Sequence, residues 1–134
     1  PESLAIIEYL EELYPEPSMI GTDPVSRART RAVERDIEFS VFLRIVRYVH
    51  AYRSPLGLPP NPSVAEQELA RLPNGLGRLE ARLEGNEFVM GPAPSIADCT
   101  LLAALNFGRF ADLSPGDDYP NVRAWFERYA LRHL

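Results

Sequence analysis

Gly91-Pro-Ala-Pro-Ser95-Ile96-Ala97-Asp98-Cys99-Thr100-Leu101-Leu102-Ala103-Ala104-Leu105-Asn106-Phe107-Gly108-Arg109-Phe110 is the run that organises this chain. It opens on turn formers and then offers Ser95-x-x-Asp98, the signature of a capped helix start. The Ser95 hydroxyl can satisfy a first-turn amide, and the Asp98 carboxylate can reach back to the Ser95 amide. Asp98 also stands where the positive end of the helix dipole favours an anion. Behind it Ile96, Cys99, Leu101, Leu102, Ala103, Ala104, Leu105, Phe107 and Phe110 leave hardly a polar side. A helix of that kind is either a membrane span or the centre of a core. The run falls short of the roughly 20 apolar residues a bilayer demands, so the sequence predicts a buried helix wrapped by others.

The flanking segments supply the wrapping. Upstream, Asp23-Pro24 starts the longest predicted helix, which continues to about Tyr52. Ala28, Ala32, Phe39, Phe42, Leu43, Val46 and Val49 define one apolar face. Val33, Ile37, Val41 and Ile45 recur every four residues and widen it. Arg27, Arg31 and Arg35 lie one turn apart on another side, with Glu34 and Glu38 nearby. That row reads first as a solvated or dimer-facing surface and second as a ligand contact. Ser54 to Pro62 is a loop rich in Pro and Gly. Ser63 with Glu66 suggests a second capping box for a helix from Val64 to about Leu83, with a kink or break at Pro73-Asn74-Gly75. Glu87 to Met90 is a short extended entry to the central helix. Downstream, Tyr119-Pro120 leads into a last amphipathic helix carrying Val122, Trp125, Phe126 and Tyr129. At the front, Ser3 to Tyr14 forms a short helix with two apolar stripes, and Glu16 to Asp23 reads as a connector. Five or so helices without a convincing strand make an all-α bundle.

Composition narrows the function. The 134 residues carry a formal charge of −5, which argues against a general nucleic-acid binder. All 14 cationic side chains are Arg, a composition bias with no functional reading of its own. A lone cysteine, Cys99, makes no internal disulfide and points to a reducing, cytoplasmic setting, and it reads as a small buried hydrophobe. No targeting or membrane-spanning segment is visible. The chain opens at Pro1 directly into a helix, and the expectation is a fragment whose remainder holds the catalytic group. His50 and His133 are far apart, and no Cys/His spacing suits a metal. No phosphate loop, nucleophile elbow or dinucleotide fingerprint occurs. One site candidate stands at the start, where Glu2-Ser3 head a helix whose free amides attract an anion. A carboxylate would take the Ser3 hydroxyl and neighbouring N–H groups while Glu2 met an ammonium, so a zwitterionic headgroup fits; the alternative is that Ser3 simply caps the helix.

Several motifs together carry a family resemblance. Glu2-Ser3-Leu4-Ala5-Ile6, then Tyr9-Leu10-Glu11-Glu12 and Tyr14-Pro15, resembles the third-helix motif of glutathione transferases. Phe88-Val89-x-Gly91, Ser95-Ile96-Ala97-Asp98 and Tyr119-Pro120-Asn121-Val122-x-Ala124-Trp125 resemble that family's C-terminal helical domain, in order and at suitable spacing. The resemblance implies residues 1–15 as the terminal helix of a truncated thioredoxin-like domain, 16–23 as linker and 24–134 as the all-α domain. It implies glutathione as co-substrate, with its γ-glutamyl end at Glu2 and Ser3. It also implies Arg35 or Asp36 reaching glutathione across a homodimer. Phe39 and Phe42 become walls for an electrophilic small molecule, or else core packing. The Ser, Tyr or Cys that lowers the thiol pKa for attack on the electrophile would lie upstream, as would the family's cis-proline. These 134 residues would then contain no catalytic residue and be inactive alone. No metal, nucleic acid or membrane partner is implied. A noncatalytic docking module and a glutathione-dependent isomerase or dehalogenase are the alternatives on the same scaffold.

Overall fold

The computed structural model describes residues 2–130. Its elements are α1 (Ser3–Leu13), α2 (Pro24–Ile37), a π-helical turn (Glu38–Phe42), α3 (Leu43–Arg53), α4 (Pro62–Leu83), α5 (Ile96–Gly108), a 3₁₀ turn (Arg109–Ala111) and α6 (Pro120–Ala130). Among the described residues the only β pairing is an isolated bridge between Phe88 and Gly91, so the all-α reading holds. Helix α2, the π turn and α3 are continuous, which makes residues 24–53 the long helix the sequence predicts. Asp23 caps it: the carboxylate accepts from the amides of Val25 and Ser26, with Pro24 in the first turn.

Its apolar face differs from the expected one. Val33, Ile37, Val41, Ile45 and Val49 are the buried residues, while Ala28, Ala32 and Phe39 are exposed. Residues four apart on an ideal α-helix drift by about 40° per step, because four residues overshoot the 3.6-residue turn. Five such residues in succession would spiral off any single face. The π turn at Glu38–Phe42 takes up the extra residue and returns Val41, Ile45 and Val49 to the core.

Helix α4 begins two residues earlier than the sequence suggests. Its cap is Asn61, whose Oδ1 accepts from the Val64 amide at 3.2 Å, with Pro62 in the first turn; Ser63 is already helical. Nor does the helix break at Pro73-Asn74-Gly75. It runs unbroken through Pro73, although a proline removes one ladder bond at a cost of about 3 kcal/mol. Burial of Leu72, Leu76, Leu79 and Leu83 on its inner face offsets that cost.

Helix α5 occupies the centre, with Ile96, Ala97, Leu101, Ala104 and Leu105 buried. It is not enclosed all round. Cys99, Ala103 and Asn106, spaced four and three apart, form an exposed strip. Helix α6 buries the four residues its pattern singles out, Val122, Trp125, Phe126 and Tyr129. Its first amides are capped from another element, for the Glu80 carboxylate of α4 accepts from Asn121 N at 2.9 Å and Val122 N at 3.0 Å.

Candidate functional site

At the head of α1, Glu2 rather than Ser3 occupies the N-cap position. Its backbone is extended and its side chain makes no capping bond. Ser3 is therefore the first helical residue. Glu2 and Ser3 are both exposed. The carbonyl of Glu2 accepts from Ile6 N at 3.2 Å, and among the described residues no side chain caps the first-turn amides. Free amides at an uncapped helix start favour an anion, and here a hydroxyl and a carboxylate stand beside them. Pro1 and His133 lie outside the described residues.

The remaining expected contacts sit elsewhere, on the long helix. Arg35 pairs with Glu38 at 3.2 Å and stacks on the Phe39 ring, 4.7 Å from its centroid. Asp36 receives both Nε and Nη2 of Arg78 at 3.0 and 2.7 Å, a fork that ties α2 to α4. Phe39 is 55% exposed, whereas Phe42 packs against the core. Within the described residues no hydrogen bond or ion pair joins Glu2 or Ser3 to this group. Helix α1 is instead linked to α2 by the pair of Glu8 with Arg31.

A third feature escaped the sequence reading. Glu11 is 6% exposed, and its carboxylate accepts from Ser18 Oγ, Met19 N at 3.0 Å and Ile20 N at 3.3 Å. Burial alone would raise its pKa, but these hydrogen bonds and the nearby Arg27 outweigh burial and lower it. The connector is thus a pinned strap, continued where Met19 O accepts from Ile96 N at 2.9 Å. The available signal was that Glu11 falls at helical spacing with the apolar Leu4, Ile7 and Tyr14, at a position where an apolar residue belongs. Between α1, this strap and α5 lies an open groove of about 290 Å³ lined by Ile7, Leu10, Tyr14, Met19 and Cys99. Cys99 is exposed there, not buried as expected. Desolvation of the thiol and then the Asp98 carboxylate push its pKa up.

Two buried carboxyls have raised pKa values. Asp98 is pushed up by burial, against the pull of bonds from Val89 N and from Ser95 N and Oγ, each at 2.9 Å. The Ser95 hydroxyl donates to Asp98, so the pair binds the loop before α5 to the helix's own first turn. Glu34 is likewise pushed up by burial; Thr100 of α5 donates to its Oε1 at 3.0 Å, while Oε2 has no hydrogen bond. Among the described residues no three His, Cys, Asp or Glu side chains are placed to hold a metal, and no helix is long and apolar enough to cross a membrane.

An all-α domain of this topology, headed by one helix that leaves its own N-terminus open, defines the class. The family model for the glutathione S-transferase C-terminal domain matches residues 41–132, and the chain belongs to that family. Glutathione S-transferase 2 of Saccharomyces cerevisiae is 24% identical over 98% of this chain and 58% of its own length. A probable maleylacetoacetate isomerase of Caenorhabditis elegans is 31% identical over 90% of this chain and 56% of its own. In structure, Gtt2 of Saccharomyces cerevisiae superposes with a TM-score of 0.86 at 23% identity, covering 100% of this chain and 65% of that one. The chain thus spans under three-fifths of the length of these two curated relatives.

Proposed function

We propose that this chain is the helical portion of a glutathione transferase, which joins the glutathione thiolate to an electrophilic small molecule. The observation carrying the reading is the open start of α1: exposed Glu2 and Ser3 beside uncapped amides, in a chain whose helical domain is of the glutathione transferase type. The γ-glutamyl end of glutathione has one carboxylate and one ammonium. The carboxylate takes the Ser3 hydroxyl and helix amides, and the ammonium takes Glu2. Residues 1–15 then belong to a thioredoxin-like domain that supplies the thiol-activating Ser, Tyr or Cys, 16–23 link it, and 24–134 form the all-α domain. The exposed side chains of Ile6, Leu10 and Leu13 support this division, since they are apolar surface for such a domain to cover. In a homodimer Arg35 or Asp36 reaches glutathione of the other protomer, Phe39 and Phe42 wall the electrophile, and the cytoplasm supplies the reduced thiol. Alone, the 134 residues would be inactive.

The test is retention of the full-length protein on glutathione resin. Ser3→Ala should weaken retention several-fold without moving the melting temperature; equal retention rejects the headgroup assignment, and clean flow-through of the wild type rejects glutathione binding. A second reading, a glutathione-dependent isomerase, draws on the 31% identity to the probable maleylacetoacetate isomerase. It predicts cis–trans isomerisation of a maleyl substrate with no net consumption of glutathione, whereas the transferase consumes one thiol per turnover.

A further inference from the structure

Arg31, Arg35, Arg53, Arg78 and Arg123 each meet carboxylates of their own, but at one place three arginines share a single acid. Glu68, 4% exposed on α4, faces Nη1 of Arg44 at 3.0 Å, of Arg47 at 3.5 Å and of Arg71 at 3.7 Å. One carboxylate neutralises one guanidinium, so two positive charges remain uncompensated in a chain whose formal charge is −5. The nearest acids on α2 and the π turn are committed, Asp36 to Arg78 and Glu38 to Arg35.

Beside this cluster is a notch of about 290 Å³ lined by Phe39, Ser40, Arg44, Arg71 and Asn74. Its position follows from the backbone. The π turn presents Phe39 and Ser40, and Gly75 lets α4 approach so closely that a Cβ there would stand 2.7 Å from Ser40 O. That approach sets Arg71 and Asn74 of α4 against Arg44 and Phe39 of the long helix. The Ser40 hydroxyl is already donating to Asp36 O, which leaves the two guanidiniums and the Asn74 amide as donors.

We propose that this notch is a binding site for a small phosphate monoester; it shares Phe39 with the proposed electrophile wall but needs neither glutathione nor Glu2 and Ser3. Arg44 and Arg71 line the notch and Arg47 shares their one carboxylate, so the cluster's surplus charge favours an anion there, and guanidinium forks fit phosphate oxygens in a bidentate manner. Phe39 offers an exposed aromatic edge for the ester's apolar body. Glu68 holds Arg44 and Arg71 in place before the ligand arrives.

The experiment titrates phenyl phosphate, inorganic phosphate and benzoate into the protein at constant ionic strength, without glutathione, by calorimetry. Phenyl phosphate should saturate at one per chain and bind more tightly than inorganic phosphate, with benzoate weakest. Arg71→Gln, chosen because its side chain is 56% exposed and its removal leaves Glu68 two partners, should weaken phenyl phosphate about tenfold. Phe39→Ala should abolish the preference for phenyl over inorganic phosphate. Arg53→Gln, which alters the remote pair with Asp112, should change nothing. Absence of saturation, equal binding of benzoate, or equal losses in Arg53→Gln and Arg71→Gln would overturn the assignment.

Discussion

Asp98, Glu11 and Glu34 are three carboxyls buried by the same fold with different consequences. Asp98 accepts two bonds from Ser95 and one from Val89 N, so Asp98→Ala leaves buried donors unpaired at the start of the central helix. The expected cost is about 2 kcal/mol or more, read as a fall in the denaturation midpoint. Glu11 and Glu34 shift in opposite directions from the ordinary 4.5. Glu11 is lowered, so its stabilisation is present above 4.5 and is lost as pH falls through the folded value. Glu11→Gln should therefore be less stable than wild type at neutral pH, with the gap closing in acid. Glu34 is raised, so its contribution is complete below 4.5 and is lost as pH rises through the folded value. Glu34→Gln should flatten the decline of melting temperature from pH 4.5 upward and be the more stable protein at pH 7. An unchanged pH slope would contradict this account. The Ser95-x-x-Asp98 spacing announced its role in advance; that Glu34 is buried with a hydrogen bond on Oε1 alone depends on where α5 comes to lie.

The π turn and α4 meet at one glycine, and the energetics of that contact are testable. At Gly75 a Cβ would stand 2.7 Å from Ser40 O and Val41 Cγ2 and 2.9 Å from Ser40 Oγ. A backbone carbonyl cannot swing aside, so Gly75→Ala should destabilise by about 1–3 kcal/mol despite alanine's better helix propensity. Gly77 on the same helix has nothing within 4 Å, and Gly77→Ala should stabilise by up to about 1 kcal/mol. Urea denaturation of the two variants gives opposite signs if the close approach is real. At the start of α6, Glu80→Ala removes the acceptor for Asn121 N and Val122 N. Faster amide exchange at those two residues, with a loss of about 1 kcal/mol, is the expected result. The four-residue spacing of Val33, Ile37, Val41 and Ile45 was a readable sign of the π turn, since an ideal α-helix cannot keep that spacing on one face. By contrast, nothing local distinguishes Glu80 as the cap of a helix forty residues downstream.

For the whole molecule, the all-α architecture and the family followed from segments that sequence alone makes conspicuous: a capped apolar helix, an amphipathic last helix and the Glu2-Ser3 start. Capping chemistry and hydrophobic period act over three to five residues, so they survive in the linear chain. The errors came where distant segments compete. Asn61 displaced Ser63 as cap, packing carried α4 through Pro73, and α5 kept an open strip at Cys99 because α1 and the strap leave a groove there. The Glu68 cluster draws together arginines 21 and 24 residues away on another helix, a convergence no local pattern encodes. Sequence by itself determined which segments are helical, where most begin and which family they belong to, because those properties rest on short-range hydrogen bonding and periodic burial. Only the tertiary structure decided which charges lose their water, which carboxyl oxygen goes without a hydrogen bond and where two helices touch, because desolvation and close packing depend on what lies across the interface.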